Sequence, residues 1–224
     1  MNVSRDPMLL FAITLSLVPA VAFVLSRDAM DEAALAAFGM EAISHFVGPV
    51  VLVLPATLIG WVTGFLLLED RDDGVLLAVD VTPVGKAGFL LYRVTVAALI
   101  SGAITTLATP HVVPGINLGL SILIVAAVAV QAVLAATILP AVARNKVEGL
   151  ALTKLTSIAA IVPLVAAIPS PWRLLGGIVP TYWVGELLVG QGGALPMWVV
   201  SAVMILVHLG WTILVLARLD RRVG

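Results

Sequence analysis

The stretch FVGPVVLVLPATLIGWVTGFLLL, residues 46–68, decides the fold, because it contains no charged residue and is long enough to cross a lipid bilayer. A helix needs about 20 predominantly apolar residues to span the hydrocarbon core. The run ends at EDRDD, residues 69–73, where five charged side chains in a row favour water. Residues 46–68 are therefore predicted to form a membrane-spanning helix.

The composition of the whole chain agrees with this prediction. The chain has 224 residues, of which 61% are hydrophobic and 11% are charged, whereas about 25% of the residues in a soluble domain are charged. This composition excludes a cytosolic globular protein and a disordered chain. The net charge of −1 gives no field that attracts a polyanion, so no nucleic-acid partner is expected. The chain has no cysteine, which excludes disulfides and thiol chemistry.

Five further apolar runs resemble the first in length and character. The chain is therefore predicted to be an all-α polytopic membrane protein with six transmembrane helices in a single domain, residues 1–224. The first run is expected to remain as a span and not to act as a cleaved signal peptide. The loops are too short for a soluble domain. The predicted spans are about 7–25, 46–68, 89–110, 118–140, 150–169 and 195–217.

The basic residues predict the orientation of these spans. Loops rich in Lys and Arg remain in the cytoplasm, and an even number of spans puts both termini on one side. Only Arg27 and Arg173 fall on the opposite side. Both termini are therefore expected to be cytoplasmic. The basic residues on that side are Arg5, Arg71, Lys86, Arg93, Arg144, Lys146, Lys154, Arg218, Arg221 and Arg222.

The sequence contains no motif for catalysis or for its own energy supply. It lacks the G-x-x-x-x-G-K-[ST] loop that binds ATP phosphates, and His45, His111 and His208 lie far apart, so no metal site and no catalytic residue are predicted. The predicted spans contain no acidic residue of the kind that ion-coupled carriers keep at membrane depth. The chain is therefore not expected to be an enzyme, and a partner is expected to supply the energy.

The connection at residues 69–93, EDRDDGVLLAVDVTPVGKAGFLLYR, stands out among the loops. It contains a short apolar helix at 75–79, followed by Thr82-Pro83, a pairing typical of a helix start. A short apolar helix at the membrane edge can rest on lipid or serve as a docking helix for a soluble partner. The residues alone favour neither reading.

This connection resembles the first cytoplasmic loop of ABC-2-type permeases, which are the membrane subunits of ATP-driven exporters. The resemblance implies that the loop is the coupling helix that sits on an ATP-binding subunit, and that this subunit binds ATP and Mg²⁺. The residues at the implied contact are Glu69, Asp73, Gly74, Leu76, Leu77, Thr82, Pro83, Val84 and Arg93.

A second segment, ARNKVEGLALTK at residues 143–154, resembles the second cytoplasmic turn of the fluoroquinolone-export-type permeases within that family. Without the resemblance it is a basic loop that obeys the charge rule. Lys146 and Glu148 are expected to pair with each other or with the partner. The implied turn residues are Asn145, Lys146, Glu148, Gly149 and Lys154.

The third segment, PSPWRLLGGIVPTYWVGELLVGQGG at residues 169–193, contains too many Gly and Pro residues for a complete span. Short interfacial or re-entrant helices are predicted here on the outer side, and we call residues 169–193 the outer-cap segment. Trp172, Tyr182 and Trp183 suit the headgroup layer. The string at 180–183 resembles the same subgroup, which implies an outer cap above the substrate route at Pro180, Tyr182, Trp183 and Glu186. Glu186 is expected either to shape the exit or to be a solvated charge.

The predicted function is the permease subunit of an ABC exporter that moves a hydrophobic or amphipathic small molecule out of the cell. The implied partners are an ATP-binding subunit and a second permease subunit, in the lipid of a bacterial cytoplasmic membrane. Gly60 and Gly64 form a G-x-x-x-G pattern that predicts close helix packing. The alternatives are an ion-coupled secondary carrier, a membrane-embedded enzyme that modifies lipid through the acids at 69–73, and a non-transporting immunity or scaffold subunit.

Overall fold

The computed structural model describes the backbone of residues 7–190 and 195–223, and the side chains of residues 10–190 and 195–221. Over these residues the fold is all-helical, without a strand. The helices are α1 Pro7–Phe38, α2 Ile43–Asp72, α3 Val75–Asp80, α4 Gly85–Val112, α5 Leu118–Val142, α6 Lys146–Thr156, α7 Ile158–Ile161, α8 Tyr182–Val189 and α9 Met197–Val223. Two 3-10 helices, Val162–Ala167 and Pro171–Ile178, lie between α7 and α8.

Six stretches of the described residues are long and apolar enough to cross a membrane, which matches the predicted number of spans and identifies a multi-pass membrane protein. They are Leu10–Phe38, Ile43–Asp72, Gly85–Val112, Leu118–Val142, Lys146–Ala167 and Met197–Arg221. The first helix continues well past its apolar run, which was predicted to end at residue 25. An apolar run marks only the part of a helix that lies in hydrocarbon, and a helix can extend beyond it into water.

Helix α2 is the centre of the bundle and packs against α1, α4 and α5. Its Leu52, Val53, Ala56 and Ile59 are fully buried. A side chain at Gly60 would collide with the methyl group of Ala135 on α5, and one at Gly64 would lie 2.9 Å from the carbonyl oxygen of Ala136. The packing role predicted for these two glycines is therefore confirmed, since small residues let two helix backbones approach closely in a membrane.

The fifth span is not a single helix. It consists of α6, α7 and the 3-10 helix Val162–Ala167, where Pro163 occupies the first turn. The chain then turns into the outer-cap segment, of which the described residues 169–190 insert into the bundle. Helix α8 packs against α2, α9 and the 3-10 helix Val162–Ala167, and its Tyr182, Trp183 and Val184 belong to the main hydrophobic core.

The bundle has two ends with different chemistry. We call one the basic end: it gathers the C-termini of α2, α5 and α9 and the N-termini of α4 and α6. At the other end, Asp31 of α1 accepts hydrogen bonds from the backbone nitrogen and the hydroxyl of Ser44 at 2.8 and 2.7 Å. The charge rule predicts that the basic end faces the cytoplasm.

Candidate functional site

The first part of the candidate site begins where α2 ends. The backbone nitrogens of Asp73 and Gly74 donate to the carbonyl oxygens of Glu69 and Arg71 at 2.9 and 3.2 Å. Gly74 has a φ of 74°, which an L side chain rarely adopts and glycine adopts freely. Gly74 therefore ends α2 and turns the chain directly into α3.

Helix α3 occupies Val75–Asp80, close to the predicted 75–79, and it presents two different faces. Leu76 is buried against the bundle, with 4% of its surface exposed. Leu77 is 70% exposed, and the residues that follow the helix, Val81 and Val84, are 88% and 62% exposed. Four predicted contact residues, Gly74, Leu76, Leu77 and Val84, thus lie on or beside a short helix, and Leu77 and Val84 expose apolar side chains there.

Thr82 and Pro83 do not start the third span as predicted. Helix α4 begins at Gly85, and the hydroxyl of Thr82 donates to the carbonyl oxygen of Val79 at 2.6 Å. Thr82 therefore caps the end of α3. The chain needs one further turn, with Gly85 at a φ of 62°, before it can re-enter the bundle.

Three consecutive residues at the end of α2 tie it to three other helices, and we call Glu69, Asp70 and Arg71 the α2 tether. Glu69 Oε1 lies 2.8 Å from Lys146 Nζ at the start of α6. Asp70 Oδ2 lies 2.7 Å from Arg93 Nη2 on α4. The first pair is about half exposed, while the second is largely buried, with side-chain exposures of 15% for Asp70 and 9% for Arg93.

Arg71, the third residue of the α2 tether, binds the carboxyl end of α5. Its guanidinium donates to three backbone carbonyl oxygens at 3.0–3.1 Å, those of Pro140, Ala143 and Arg144. The last carbonyls of a helix have no partner within the helix, and they carry a partial negative charge that attracts a cation. Arg71 therefore joins the ends of α2 and α5.

Three predicted site residues, Glu69, Arg93 and Lys146, take part in these internal ties. Arg93 was expected at the surface for the ATP-binding subunit, but it is 8% exposed and pairs with Asp70 inside the bundle. Its guanidinium also lies 5.2 Å from the centre of the Phe89 ring. Lys146 was expected to pair with Glu148 or with the partner, but it pairs with Glu69. Burial favours an internal partner for Arg93, because an unpaired buried charge is costly.

The second predicted turn is a helix start. The side-chain oxygen of Asn145 accepts from the backbone nitrogen of Glu148 at 2.9 Å, and Glu148 Oε2 accepts from the backbone nitrogen of Arg144 at 2.7 Å. This reciprocal arrangement is close to a capping box. A side chain at Gly149 would lie 2.8 Å from Leu68 of α2, so Gly149 permits close packing, while Lys154 is exposed.

Three of the four acids at 69–73 have separate basic partners. Glu69 pairs with Lys146, Asp70 with Arg93, and Asp72 with Arg71 at 3.1 Å. Within the part of the chain that the structure describes, no three histidine or acidic side chains converge as metal ligands would. The three pairs connect the end of α2 to α4 and α6 and hold Arg71 beside Asp72.

The outer-cap segment contains a second, buried charge cluster. Arg173 contacts Glu186 through two hydrogen bonds, from Nη2 to Oε1 at 3.1 Å and from Nε to Oε2 at 3.2 Å. The hydroxyl of Tyr182 donates to Glu186 Oε2 at 2.7 Å. The Arg173 and Glu186 side chains are only 7% and 3% exposed. A solvated charge was one of the two roles expected for Glu186. Its burial contradicts that role.

This environment stabilises the protonated forms of both donors. Burial raises the pKa of the Tyr182 phenol, and its hydrogen bond to Glu186 raises it further. The hydrogen bond to Glu186 also raises the pKa of the Arg173 guanidinium. Tyr182 therefore remains a neutral donor and Arg173 a cation, and two donors hold Glu186 in place.

Glycines allow the two aromatic side chains to pack into the bundle. Side chains at Gly176 and Gly177 would lie 2.8 and 2.7 Å from the rings of Tyr182 and Trp183. Trp183 Nε1 donates to the carbonyl oxygen of Gly177 at 2.8 Å. Tyr182 is fully buried and Trp183 is 6% exposed, so protein surrounds both side chains, whereas Trp172 is 76% exposed. Pro180 is buried beside them.

Sequence reasoning missed a mostly apolar cavity of about 160 Å³ between α2, α5, the fifth span and α9. Gln131 of α5 lines it, together with Thr57 and Trp61 of α2, Thr156 of the fifth span and Trp211 of α9. The available signal was Gln131 itself, the one amide within the apolar run 118–140. A larger groove of about 610 Å³ lies between α4, α5 and α9 towards the basic end.

Comparisons with known proteins identify the family. A family model described as fluoroquinolones export permease protein Rv2686c-like matches residues 1–216. Two curated relatives from Mycobacterium tuberculosis, named fluoroquinolones export permease protein MT2760 (strain CDC 1551 / Oshkosh) and Rv2686c (strain ATCC 25618 / H37Rv), are each 28% identical over 197 residues, which cover 81% of this chain and 75% of the relative. No solved structure shows significant similarity. The chain belongs to the Rv2686c-like family of fluoroquinolones export permeases.

Proposed function

We propose that this chain is the permease subunit of an ATP-driven ABC exporter in a bacterial cytoplasmic membrane, with the basic end and both termini in the cytoplasm. The observation that supports this most directly is the exposed apolar surface at α3. Leu77 of the helix forms this surface together with Val81 and Val84, which follow the helix. Such a surface on a membrane protein, outside the spans, requires a cover. In a family of export permeases, an ATP-binding subunit is the cover that also explains the energy supply.

The proposed complex contains two permease subunits and two ATP-binding subunits, and the latter bind ATP and Mg²⁺. Closure of the ATP-binding subunits moves α3, and α3 continues directly into α2 at Gly74. The α2 tether then carries this movement to α4, α5 and α6 through the contacts of Glu69, Asp70 and Arg71. Alternating access follows when these helices tilt together.

The proposed substrate is a hydrophobic or amphipathic small molecule of the fluoroquinolone type. Two relatives carry fluoroquinolone export in their names. The groove of about 610 Å³ falls within the range of about 300–1,000 Å³ that is usual for small-molecule sites. Its lining is mostly apolar, with Lys86 and Asp220 also lining it, which suits a molecule with a hydrophobic body and charged groups.

The experiment is co-purification of the chain with the ATPase encoded beside it, followed by ATP hydrolysis and export assays in vesicles. Leu77→Asp places a charge on the proposed contact surface and should abolish complex formation and ATP-dependent export. Leu118→Asp is the matched control, because Leu118 is similarly exposed, at 76% against 70%, but lies at the opposite end of the bundle. It should leave both activities near wild type.

Two outcomes would contradict the proposal. Intact assembly and export in Leu77→Asp would show that α3 is not the contact with the ATP-binding subunit. Export that continues without any ATPase and follows a proton gradient would assign the chain to the ion-coupled carriers.

A further inference from the structure

The proposed substrate groove carries its charges at one end. Apolar side chains of α4, α5 and α9 line most of it, while Lys86 lies in the first turn of α4 and Asp220 lies close to the end of α9. Both charges therefore lie at the basic end of the bundle, and the apolar wall runs from them towards the middle of the membrane. An amphipathic molecule fits with its charged groups at the basic end and its hydrophobic body along α4 and α5.

Lys86 also belongs to the connection between α3 and α4. Its Nζ atom lies 3.2 Å from Oδ2 of Asp80, the last residue of α3. The side chains of Lys86 and Asp80 are 21% and 51% exposed, so water reaches the pair. One lysine thus contacts the end of the helix that is proposed to meet the ATP-binding subunit and lines the proposed substrate groove.

An ion pair in these surroundings exchanges readily. Exposed pairs contribute little to stability, because water and salt screen them. A carboxylate bound in the groove offers Lys86 a partner of the same chemistry as Asp80. Lysine suits such an exchange, since its ammonium group is a compact charge on a flexible stem and can turn from one carboxylate to another.

We propose that Lys86 recognises an anionic group of the exported molecule and, on binding it, releases Asp80 at the end of α3. Substrate in the groove thereby loosens the connection between α3 and α4, so that α3 moves with the ATP-binding subunit. Asp220 also lines the groove and suits a cationic group on the same molecule, so the substrate class is a zwitterionic amphiphile. This inference rests on the proposed export function, since it describes how that groove selects its substrate and signals its occupancy.

Binding is measured on the permease with its ATP-binding partner in phosphatidylcholine nanodiscs, with radiolabelled norfloxacin, a fluoroquinolone that carries a carboxylate and an ammonium group. Lys86→Met should weaken the binding roughly fivefold, as expected for a charge-assisted bond less the ion pair that it replaces. Binding of the methyl ester, which lacks the carboxylate, should not change. Arg144→Met is the matched control, because Arg144 is exposed at the same end but does not line the groove, and it should bind norfloxacin as the wild type does.

Asp80→Asn removes the competing carboxylate and gives the sharper result. It should strengthen norfloxacin binding about threefold, which is the effect of one exposed ion pair. The double variant Asp80→Asn/Lys86→Met should show no such gain over Lys86→Met. Because Asp80→Asn has already lost the connection to Lys86, norfloxacin should stimulate its ATP hydrolysis less than that of the wild type. Tighter binding together with weaker stimulation distinguishes the exchange from a structural role of the pair.

Three results would overturn this inference. Unchanged or weaker norfloxacin binding in Asp80→Asn shows that the two carboxylates do not compete. Equal losses of norfloxacin and ester binding in Lys86→Met show that packing of the lysine, and not its charge, supports the groove. If phosphatidylglycerol added to the nanodiscs displaces norfloxacin from the wild type but not from Lys86→Met, the partner of Lys86 is a lipid headgroup.

The same measurements separate this inference from the export function. The expected pattern of norfloxacin binding without ATP-dependent export contradicts the proposed function and leaves the recognition by Lys86 intact. ATP-dependent export with wild-type binding in both Lys86→Met and Asp80→Asn contradicts the exchange and leaves the function intact.

Discussion

The outer-cap segment and the basic end both hold opposite charges about 3 Å apart, but in very different surroundings. Arg173 and Glu186 are enclosed, with side chains 7% and 3% exposed, while Lys146 and Glu69 are 49% and 48% exposed. A buried pair is costly to break, because one removed partner leaves the other charge uncompensated. An exposed pair exchanges readily with water and salt. The Arg173–Glu186 pair is therefore held in one arrangement, whereas the Lys146–Glu69 pair can rearrange.

The glycines of the two regions also differ in how tightly they are packed. Gly185 of the outer-cap segment lies against the backbone of Pro163, so that an added side chain would approach its Cα within 2.8 Å. Gly74 at the basic end has nothing within 4 Å of such a side chain and is constrained only by its φ of 74°. Contact with neighbouring backbone therefore constrains Gly185 in the outer-cap segment. At Gly74, the link to α3, only the local backbone conformation is a constraint.

The largest effect is expected for the buried pair. Glu186→Gln should destabilise the protein by roughly 3–5 kcal/mol, because the Arg173 charge remains buried without a counter-charge. Denaturant unfolding in detergent micelles measures this change. Asp28→Asn is the control, since Asp28 is 95% exposed in its pair with Arg27, and it should have no measurable effect. The double variant Arg173→Met/Glu186→Leu should recover most of the lost stability; a double variant as unstable as the single one would contradict the account.

Alanine substitutions at three glycines test the difference in packing. Gly185→Ala should cost about 1–3 kcal/mol through overpacking against Pro163. Gly74→Ala should cost about 1 kcal/mol through its left-handed backbone and should impair ATP-coupled export more than stability. Gly210→Ala in α9 meets nothing within 4 Å and should be neutral or slightly stabilising. Equal losses of stability in Gly185→Ala and Gly210→Ala would contradict the inference that close packing constrains Gly185.

The phenol of Tyr182 should give the outer-cap segment a specific response to alkaline pH. Its pKa is raised in the folded protein by burial and by the hydrogen bond to Glu186. The folded state therefore favours the protonated phenol, and this contribution is present below the ordinary pKa of about 10 and declines as the pH rises through the folded-state value. Tyr182→Phe should cost about 1 kcal/mol at neutral pH and should flatten the loss of stability above pH 10.

Unfolding measured from pH 7 to pH 11 checks this prediction. Tyr92→Phe is the matched control, because Tyr92 is 47% exposed and makes no contact with Glu186. The prediction fails if Tyr182→Phe and the wild type lose stability in parallel over the alkaline range.

The smallest effect is expected for the exposed pair of the basic end. Lys146→Met should change the melting temperature only slightly, and high salt should remove most of the difference. Export should respond more than stability, since this pair joins α2 to the fifth span in the proposed mechanism. The charge-swapped variant Glu69→Lys/Lys146→Glu should recover export; a large, salt-independent loss of stability in Lys146→Met would contradict the contrast with the outer-cap segment.

The apolar runs predicted the number of span-length helical stretches correctly, because their length distinguishes them from other helices. The pattern at Gly60 and Gly64 also predicted the close packing of α2, since it depends on helical spacing within one segment. Helix α3 was predicted to within one residue, because the charged stretch before it and Gly74 are local signals.

The charge partners could not be predicted in the same way. Glu186 meets Arg173 from 13 residues away, and Asp70 meets Arg93 from 23 residues away. These pairs form only when the outer-cap segment folds into the bundle and α4 packs against α2. A sequence pattern shows which residues share a face of one helix, but not which helices become neighbours. For the same reason, Gln131 looked like an isolated polar residue before the surrounding spans were known.

The α2 tether has a consequence for the length of α2. Successive residues of an α-helix point about 100° apart, so Glu69, Asp70 and Arg71 fan out around the axis towards three separate neighbours. Insertion of one residue before Glu69 would rotate all three by that angle and break every tie at once, although no charge would be lost. The spacing between the apolar run and the charged stretch therefore sets the direction of all three side chains: a change in the length of α2 disturbs three contacts, whereas a substitution disturbs one.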